Sequence, residues 1–185
     1  MKNEKKCLRQ AYRARGAALP EDYRTAADRA ICAAVQDSDA WKKAEGVFAF
    51  VSMCAEPDTR PLLEAALREG KRLYLPRCFP DGIMQAVRVQ SLDALSPGAY
   101  GIPEPPADAE TAQPGDFTLA LVPCVAATRD GARLGHGAGY YDRFLPRYPC
   151  TTMCLCYGKM LADDLPTDDN DVLMDHVVTE DGMIK

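Results

Sequence analysis

Leu119-Ala-Leu-Val-Pro-Cys124, Arg133-Leu-Gly-His-Gly-Ala-Gly-Tyr-Tyr-Asp-Arg143 and Thr152-Met-Cys-Leu-Cys-Tyr157 follow one another in the second half of the chain. The outer two are short apolar runs of the kind that form buried strands, and the middle one is a glycine-rich turn running into a helix-compatible segment. The same order occurs upstream: Val47 to Met53, then Leu62, Leu63, Ala66 and Leu67 at helical spacing up to Gly70, then Arg72 to Leu75. Two strand, helix, strand units predict an α/β fold with a mostly parallel central sheet and ligands at the carboxyl ends of its strands.

Working outward, Lys2 to about Leu19 carries Leu8, Ala11 and Tyr12 at helical spacing, Pro20 interrupts the pattern, and a second helix follows with Ala26, Ala27, Ala30, Ile31, Ala34 and Val35. Met84 to Val89 reads as another strand. Ser96-Pro-Gly-Ala-Tyr-Gly-Ile-Pro-Glu-Pro-Pro106 reads as a loop whose prolines and glycines exclude regular structure. At 185 residues, 47% hydrophobic and 26% charged, the sequence suits one globular domain over residues 1–185, with no repeat or low-complexity linker.

The 22 Lys and Arg against 27 Asp and Glu give a net charge of -5, which excludes the broad basic field of a non-specific nucleic-acid binder. The apolar runs are too short to cross a bilayer and the start, Met-Lys-Asn-Glu-Lys-Lys, lacks an apolar signal core, so a cytoplasmic protein is expected. In that setting the eight cysteines read as reduced thiols. Cys154 and Cys156 alternate as small apolar residues on one face of a strand do, and His136 and His176 lack zinc-ligand spacing.

Gly135, Gly137 and Gly139 alternate immediately before Tyr140-Tyr-Asp-Arg-Phe-Leu145, which lets backbone N–H groups approach an anion near a helix N-terminus. The pattern is neither the Walker loop, since no Gly-Lys-Ser/Thr follows, nor the G-x-G-x-x-G dinucleotide fingerprint. Arg133 and Arg143 add permanent charge suited to phosphate, and Asp142 adds the hard oxygen that Mg²⁺ takes beside nucleotide phosphates. A plain turn and a solvated helix account for each residue alone; the segment as a whole points to a metal-nucleotide.

With these residues in view, the chain resembles the 5-formyltetrahydrofolate cyclo-ligases, also called methenyltetrahydrofolate synthetases. Besides Arg133-Leu-Gly-x-Gly-x-Gly-Tyr-Tyr-Asp-Arg143, the resemblance is carried in order by Lys5-x-x-Leu8-Arg9, Ser52-Met-x-x-Glu56-x-x-Thr59, Tyr100-Gly-Ile-Pro-Glu104-Pro, and Leu165-Pro166 with Asp171, Asp175 and Val178-Thr179-Glu180. It implies a single α/β domain with helices on both faces of the sheet, of the NagB/RpiA/CoA-transferase-like kind. It also implies ATP and Mg²⁺ as cofactors, 5-formyltetrahydrofolate as the small-molecule substrate, no nucleic-acid or membrane partner, and a monomer.

Residue by residue, the resemblance implies that Lys5 and Arg9 contact ATP with Arg133, Leu134, Gly135, His136, Gly137, Ala138, Gly139, Tyr140 and Tyr141. Val51 and Glu56 bind the folate, bordered by Gly137, Gly139 and Tyr140, and Asp142 and Asp175 coordinate Mg²⁺. Lys5, Arg133 and Asp142 are the expected catalytic residues, whereas His136, at a variable position of the motif, is given no catalytic role. The i, i+4 spacing puts Lys5 and Arg9 on one helical face, although Lys6, Arg13 and Arg15 make an ordinary solvated face an alternative. Pro123-Cys-Val-Ala-Ala-Thr128 departs from the family's Pro-Gly-x-Ala-Phe-Asp and reshapes the approach to the motif.

The family's reaction has the formyl oxygen attack the γ-phosphorus of ATP; N10 then attacks the imidate phosphate and phosphate leaves. Such chemistry needs alignment and charge stabilisation and no covalent nucleophile. Two other readings stand beside it: a non-catalytic nucleotide- or RNA-binding module on the same fold, and an ATP-dependent kinase or ligase for another small carbonyl substrate.

Overall fold

Two helices open the chain, α1 (Lys2–Ala17) and α2 (Glu21–Asp37), parted by Pro20 as the sequence predicts; the computed structural model describes residues 2–53, 55–98 and 101–185. Proline offers no N–H to extend the α1 ladder, and its ring sets the chain's entry into α2. The single turn α3 (Asp39–Lys43) is capped by the Ser38 hydroxyl, which accepts the Trp41 N–H at 3.1 Å.

The strands and remaining helices follow as β1 (Gly46–Phe48), α4 (Arg60–Arg68), β2 (Arg72–Cys78), β3 (Met84–Val89), β4 (Ser96–Pro97), β5 (Pro103–Glu104), β6 (Leu119–Pro123), β7 (Ala126–Thr128), β8 (Arg133–Leu134), α5 (Tyr140–Phe144), β9 (Thr151–Leu155), β10 (Leu161–Ala162), β11 (His176–Thr179) and β12 (Gly182–Ile184). Seven of them form the central sheet in the order β12-β11-β9-β6-β1-β2-β3. The five inner strands are parallel, and β3 and β12 close the edges antiparallel to their neighbours.

The crossover from β1 through α4 to β2 moves one way across the sheet and that from β6 through α5 to β9 moves the other. With one handedness for both crossovers, α4 and α5 must cover opposite faces. Residues of β6 and most of β9 are buried on both sides, as inner parallel strands require. At five residues α5 cannot hold itself as a helix. Phe144 fixes it instead, with ring centroids 4.7 Å from Phe48 of β1 and 4.6 Å from Tyr148.

Three sequence expectations change. The Val47–Met53 run is ladder only to Phe48: after the Ala49 N–H bonds Tyr74 O, the chain bends and Phe50 O accepts the Thr59 hydroxyl at 2.6 Å. The Ser96–Pro106 loop contains a small regular element, with Ser96 paired to Glu104 and Pro97 to Pro103. Proline is tolerated in so short a pair because few ladder N–H groups are needed. Tyr100, quoted in the resemblance, lies outside the described residues. Finally, the C-terminal β11–β12 hairpin was not anticipated, since Val177 and Val178 are too short an apolar run to stand out.

Candidate functional site

Helix α1 lies along the glycine segment, and one face of it makes the contact. Lys5 Nζ donates to Asp168 at 2.9 Å and Asp171 at 2.5 Å, Arg9 Nε donates to Gly135 O at 2.7 Å, and Arg13 Nη2 donates to His136 O at 3.2 Å. These three cations recur every four residues, so they stack on one side of the helix. The solvated-face alternative for Lys5 and Arg9 is thereby excluded: Lys5 is buried and both are tied to distant segments. Burial pulls the Lys5 ammonium down, but the hydrogen bonds and charges of Asp171 and Asp168 outweigh it and hold it above its ordinary value.

Each motif glycine gives way to a guanidinium. A Cβ on Gly135 would stand 2.7 Å from Arg133, one on Gly137 3.3 Å from Arg9, and one on Gly139 2.8 Å from Arg143. Gly137 and Gly139 also have φ of 107° and 68°, which a side chain would strain. The alternation therefore gathers three arginines around one loop.

Arg133 is nearly enclosed, donates to Asp142 at 2.7 Å and to Pro123 O at 3.4 Å, and lies over the Tyr141 ring at 5.6 Å. Its Nε is buried without a hydrogen-bond partner among the described residues. Leu134 is buried against Leu8 and Tyr12 of α1, Ala138 is exposed, and the Tyr140 hydroxyl donates to Phe79 O at 3.1 Å. Burial and then the Glu56 charge push the Tyr141 phenol well above its ordinary value, so it keeps its proton.

Glu56 sits beyond the carboxyl end of β1 in a turn closed by its own side chain. Its Oε2 accepts the Met53 N–H at 2.7 Å and its Oε1 lies 2.7 Å from His136 Nε2. Ser52 and Thr59 bond each other reciprocally, Ser52 N–H to Thr59 Oγ1 at 3.1 Å and Thr59 N–H to Ser52 Oγ at 3.3 Å, which explains why these residue types flank Glu56. Val51 is half-buried on the core beside this turn. Sequence reading missed the His136–Glu56 contact and Arg13; the signal for Arg13 was its place four residues after Arg9.

The two expected metal ligands sit apart. Asp142 Oδ1 takes Arg133 and, at 3.4 Å, the Val172 N–H, which brings Asp171 beside it; Asp142 and Asp171 both act on the Arg9 guanidinium. Asp175 instead accepts the Thr152 N–H at 2.8 Å and its hydroxyl at 2.9 Å, just before β11 and at the amino end of β9. Arg133 reaches Pro123, which pairs with Leu155 at the carboxyl end, three residues or roughly 10 Å along the strand from Thr152.

The departure at Pro123–Thr128 also has a visible consequence. Cys124 is buried and its thiol reaches Leu155 O at 3.4 Å. Thr128 Oγ1 accepts the Ala132 N–H at 3.0 Å and bonds Asp130, closing the turn that leads into Arg133.

The sequence profile of the 5-formyltetrahydrofolate cyclo-ligase family matches residues 1–180. A probable 5-formyltetrahydrofolate cyclo-ligase of Schizosaccharomyces pombe is 28% identical over 172 residues, covering 84% of each chain. The 5-formyltetrahydrofolate cyclo-ligase of Mycolicibacterium smegmatis is 35% identical over 142 residues, covering 72% of each. The NMR structure of Aquifex aeolicus 5,10-methenyltetrahydrofolate synthetase superposes with a TM-score of 0.86 at 31% identity, over 98% of this chain and 92% of the other. With the matched profile spanning the glycine segment, the α1 cations and the Glu56 turn alike, the chain belongs to the 5-formyltetrahydrofolate cyclo-ligase family.

Proposed function

We propose that this enzyme cyclises 5-formyltetrahydrofolate to 5,10-methenyltetrahydrofolate with ATP and Mg²⁺, releasing ADP and phosphate. The observation that carries the reading is the junction, within one segment, of an arginine-lined glycine loop and a buried carboxylate. Bound Mg-ATP supplies the γ-phosphoryl group that converts the formyl oxygen into a leaving group, so that N10 can close the ring.

The residues present fit such a ligand. Arg133 has a buried Nε without a partner among the described residues, Lys5 and Arg9 bring two further cations, and the missing Gly137 Cβ keeps the loop open beside Arg9. We assign Mg²⁺ to Asp142 with Asp171 in preference to Asp175, which lies at the far end of β9 from Arg133. Among the described residues no group of three or more His, Cys, Asp or Glu could hold a metal ion by itself. Mg²⁺ at a nucleotide needs only one or two carboxylates, with phosphates and water completing its shell.

Lys5, Arg9 and Arg133 neutralise phosphate charge as it shifts during transfer, and Asp142 keeps Arg133 oriented. Glu56 accepts N–H groups of the reduced pterin, while the neutral Tyr141 adds no competing charge beside it. No helix of the described chain is long and apolar enough to cross a membrane.

The test is the appearance of the strongly absorbing methenyl product when purified protein is mixed with 5-formyltetrahydrofolate and Mg-ATP. Asp142→Asn is expected to lower kcat at least about 100-fold, the scale seen when a group stabilising transition-state charge is lost. No ATP-dependent absorbance change with the wild-type protein would overturn the proposal.

A further inference from the structure

We infer that His136, backed by Arg13, is a positioning residue that fixes the Glu56 carboxylate to receive a planar pair of N–H donors, the recognition edge of a 2-amino-4-oxo reduced pterin. The inference rests on the proposed folate role of Glu56 and adds residues for which the sequence supplied no such role.

Glu56 is almost wholly enclosed, its side chain 5% exposed, yet His136, which meets it at 2.7 Å, is 40% exposed. A histidine so open to water ordinarily hydrogen-bonds to solvent; this one is directed at a buried carboxylate. A carboxylate has about four acceptor sites, two on each oxygen. Met53 N–H occupies one on Oε2 and His136 one on Oε1. Among the described residues nothing else bonds the carboxylate, so one site on each oxygen is left, which is what a bidentate donor edge requires.

Arg13 sets the histidine. Its Nη2 lies 3.5 Å from His136 Nδ1 and donates to His136 O at 3.2 Å. A guanidinium facing Nδ1 needs a lone pair there, which leaves the ring proton on Nε2, aimed at Glu56. Arg9 holds the preceding carbonyl, Gly135 O, so two successive turns of α1 pin the backbone around His136 between two glycines. A side chain between glycines would otherwise wander, and this is why one helix face rather than the loop itself decides where the imidazole points.

The experiment is steady-state kinetics on the full chain, with thermal melts to show that each variant is folded. His136→Ala is expected to raise KM for 5-formyltetrahydrofolate about tenfold, the scale of a hydrogen bond to a charged group, and by a larger factor than it changes kcat or KM for ATP. His136→Gln, which keeps an N–H donor, restores most of the loss, and Arg13→Ala reproduces a smaller part of it. In a Glu56→Gln background, His136→Ala adds no further rise, because its effect passes through that carboxylate.

A KM raised by Glu56→Gln but not by His136→Ala overturns the role of His136 alone. An unchanged KM in Glu56→Gln removes both that role and the folate assignment of Glu56. A lower KM in His136→Ala, or a full further rise in the Glu56→Gln background, also overturns the inference.

Discussion

Lys5 shows what a single residue's surroundings add to its type. Its ammonium is held above its ordinary value by Asp171 and Asp168 against the pull of burial, and the Lys5 hydrogen bond in turn holds the Asp168 carboxyl below its own ordinary value. The depressed Asp168 contributes stability above an unfolded value of about 3.9, lost as pH falls through its folded value. The raised Lys5 contributes stability below about 10.4, lost as pH rises through its folded value. Lys5→Met is therefore expected to destabilise most between about pH 5 and 9, with the gap from wild type narrowing towards pH 4 and above pH 11 in urea titrations. The same variant should raise KM for ATP. At this scale the sequence displayed Lys5, Arg9, Glu56 and Asp142 as candidates. It hid Asp168 and the partners of Arg13 and His136, because pairs separated by 163, 123 and 80 residues leave no local spacing to read.

Elements put these residues in place, and α5 is the weakest of them by itself. Its five residues present Asp142 to Arg133 only while Phe144 stays between Phe48 and Tyr148. Phe144→Ala should cost about 3–5 kcal/mol in unfolding free energy. It should also lower kcat, since a five-residue helix relies on Phe144, with the Tyr141 ring beside it on Phe48, to hold Asp142 in place. A variant destabilised by that amount with unchanged kcat would separate α5 from the site. The strands of the two crossover units were legible from their apolar runs to within a few residues. The bend after Phe48 was not, because apolar residues continue to Val51 and the turn is imposed by Thr59 bonding Phe50 O from across the loop.

Over the whole molecule, the cysteines report how the chain encloses itself. Burial pushes the thiols of Cys32 to about 12 and of Cys78 and Cys150 to about 11. The hydrogen bond to Cys124, and then burial, hold Cys154 well above its ordinary value. Raised values mean less thiolate at pH 8, so alkylation of the native protein should modify the exposed Cys7 and spare Cys32, Cys78, Cys150 and Cys154 until denaturant is added, as peptide mass mapping would show. Early labelling of Cys154 would contradict the buried arrangement beneath the site. By itself the sequence determined the alternation of strands and helices, the glycine loop and the family, because those are encoded by periodicity and by residues a few positions apart. Tertiary structure decided that the three glycines make room for Arg133, Arg9 and Arg143, that Asp142 takes the Val172 N–H while Asp175 bonds Thr152, and that His136 closes on Glu56. The physical reason is that opposite crossovers and the docking of α1 bring distant segments to one end of the sheet, and no short-range pattern records which side chains then meet.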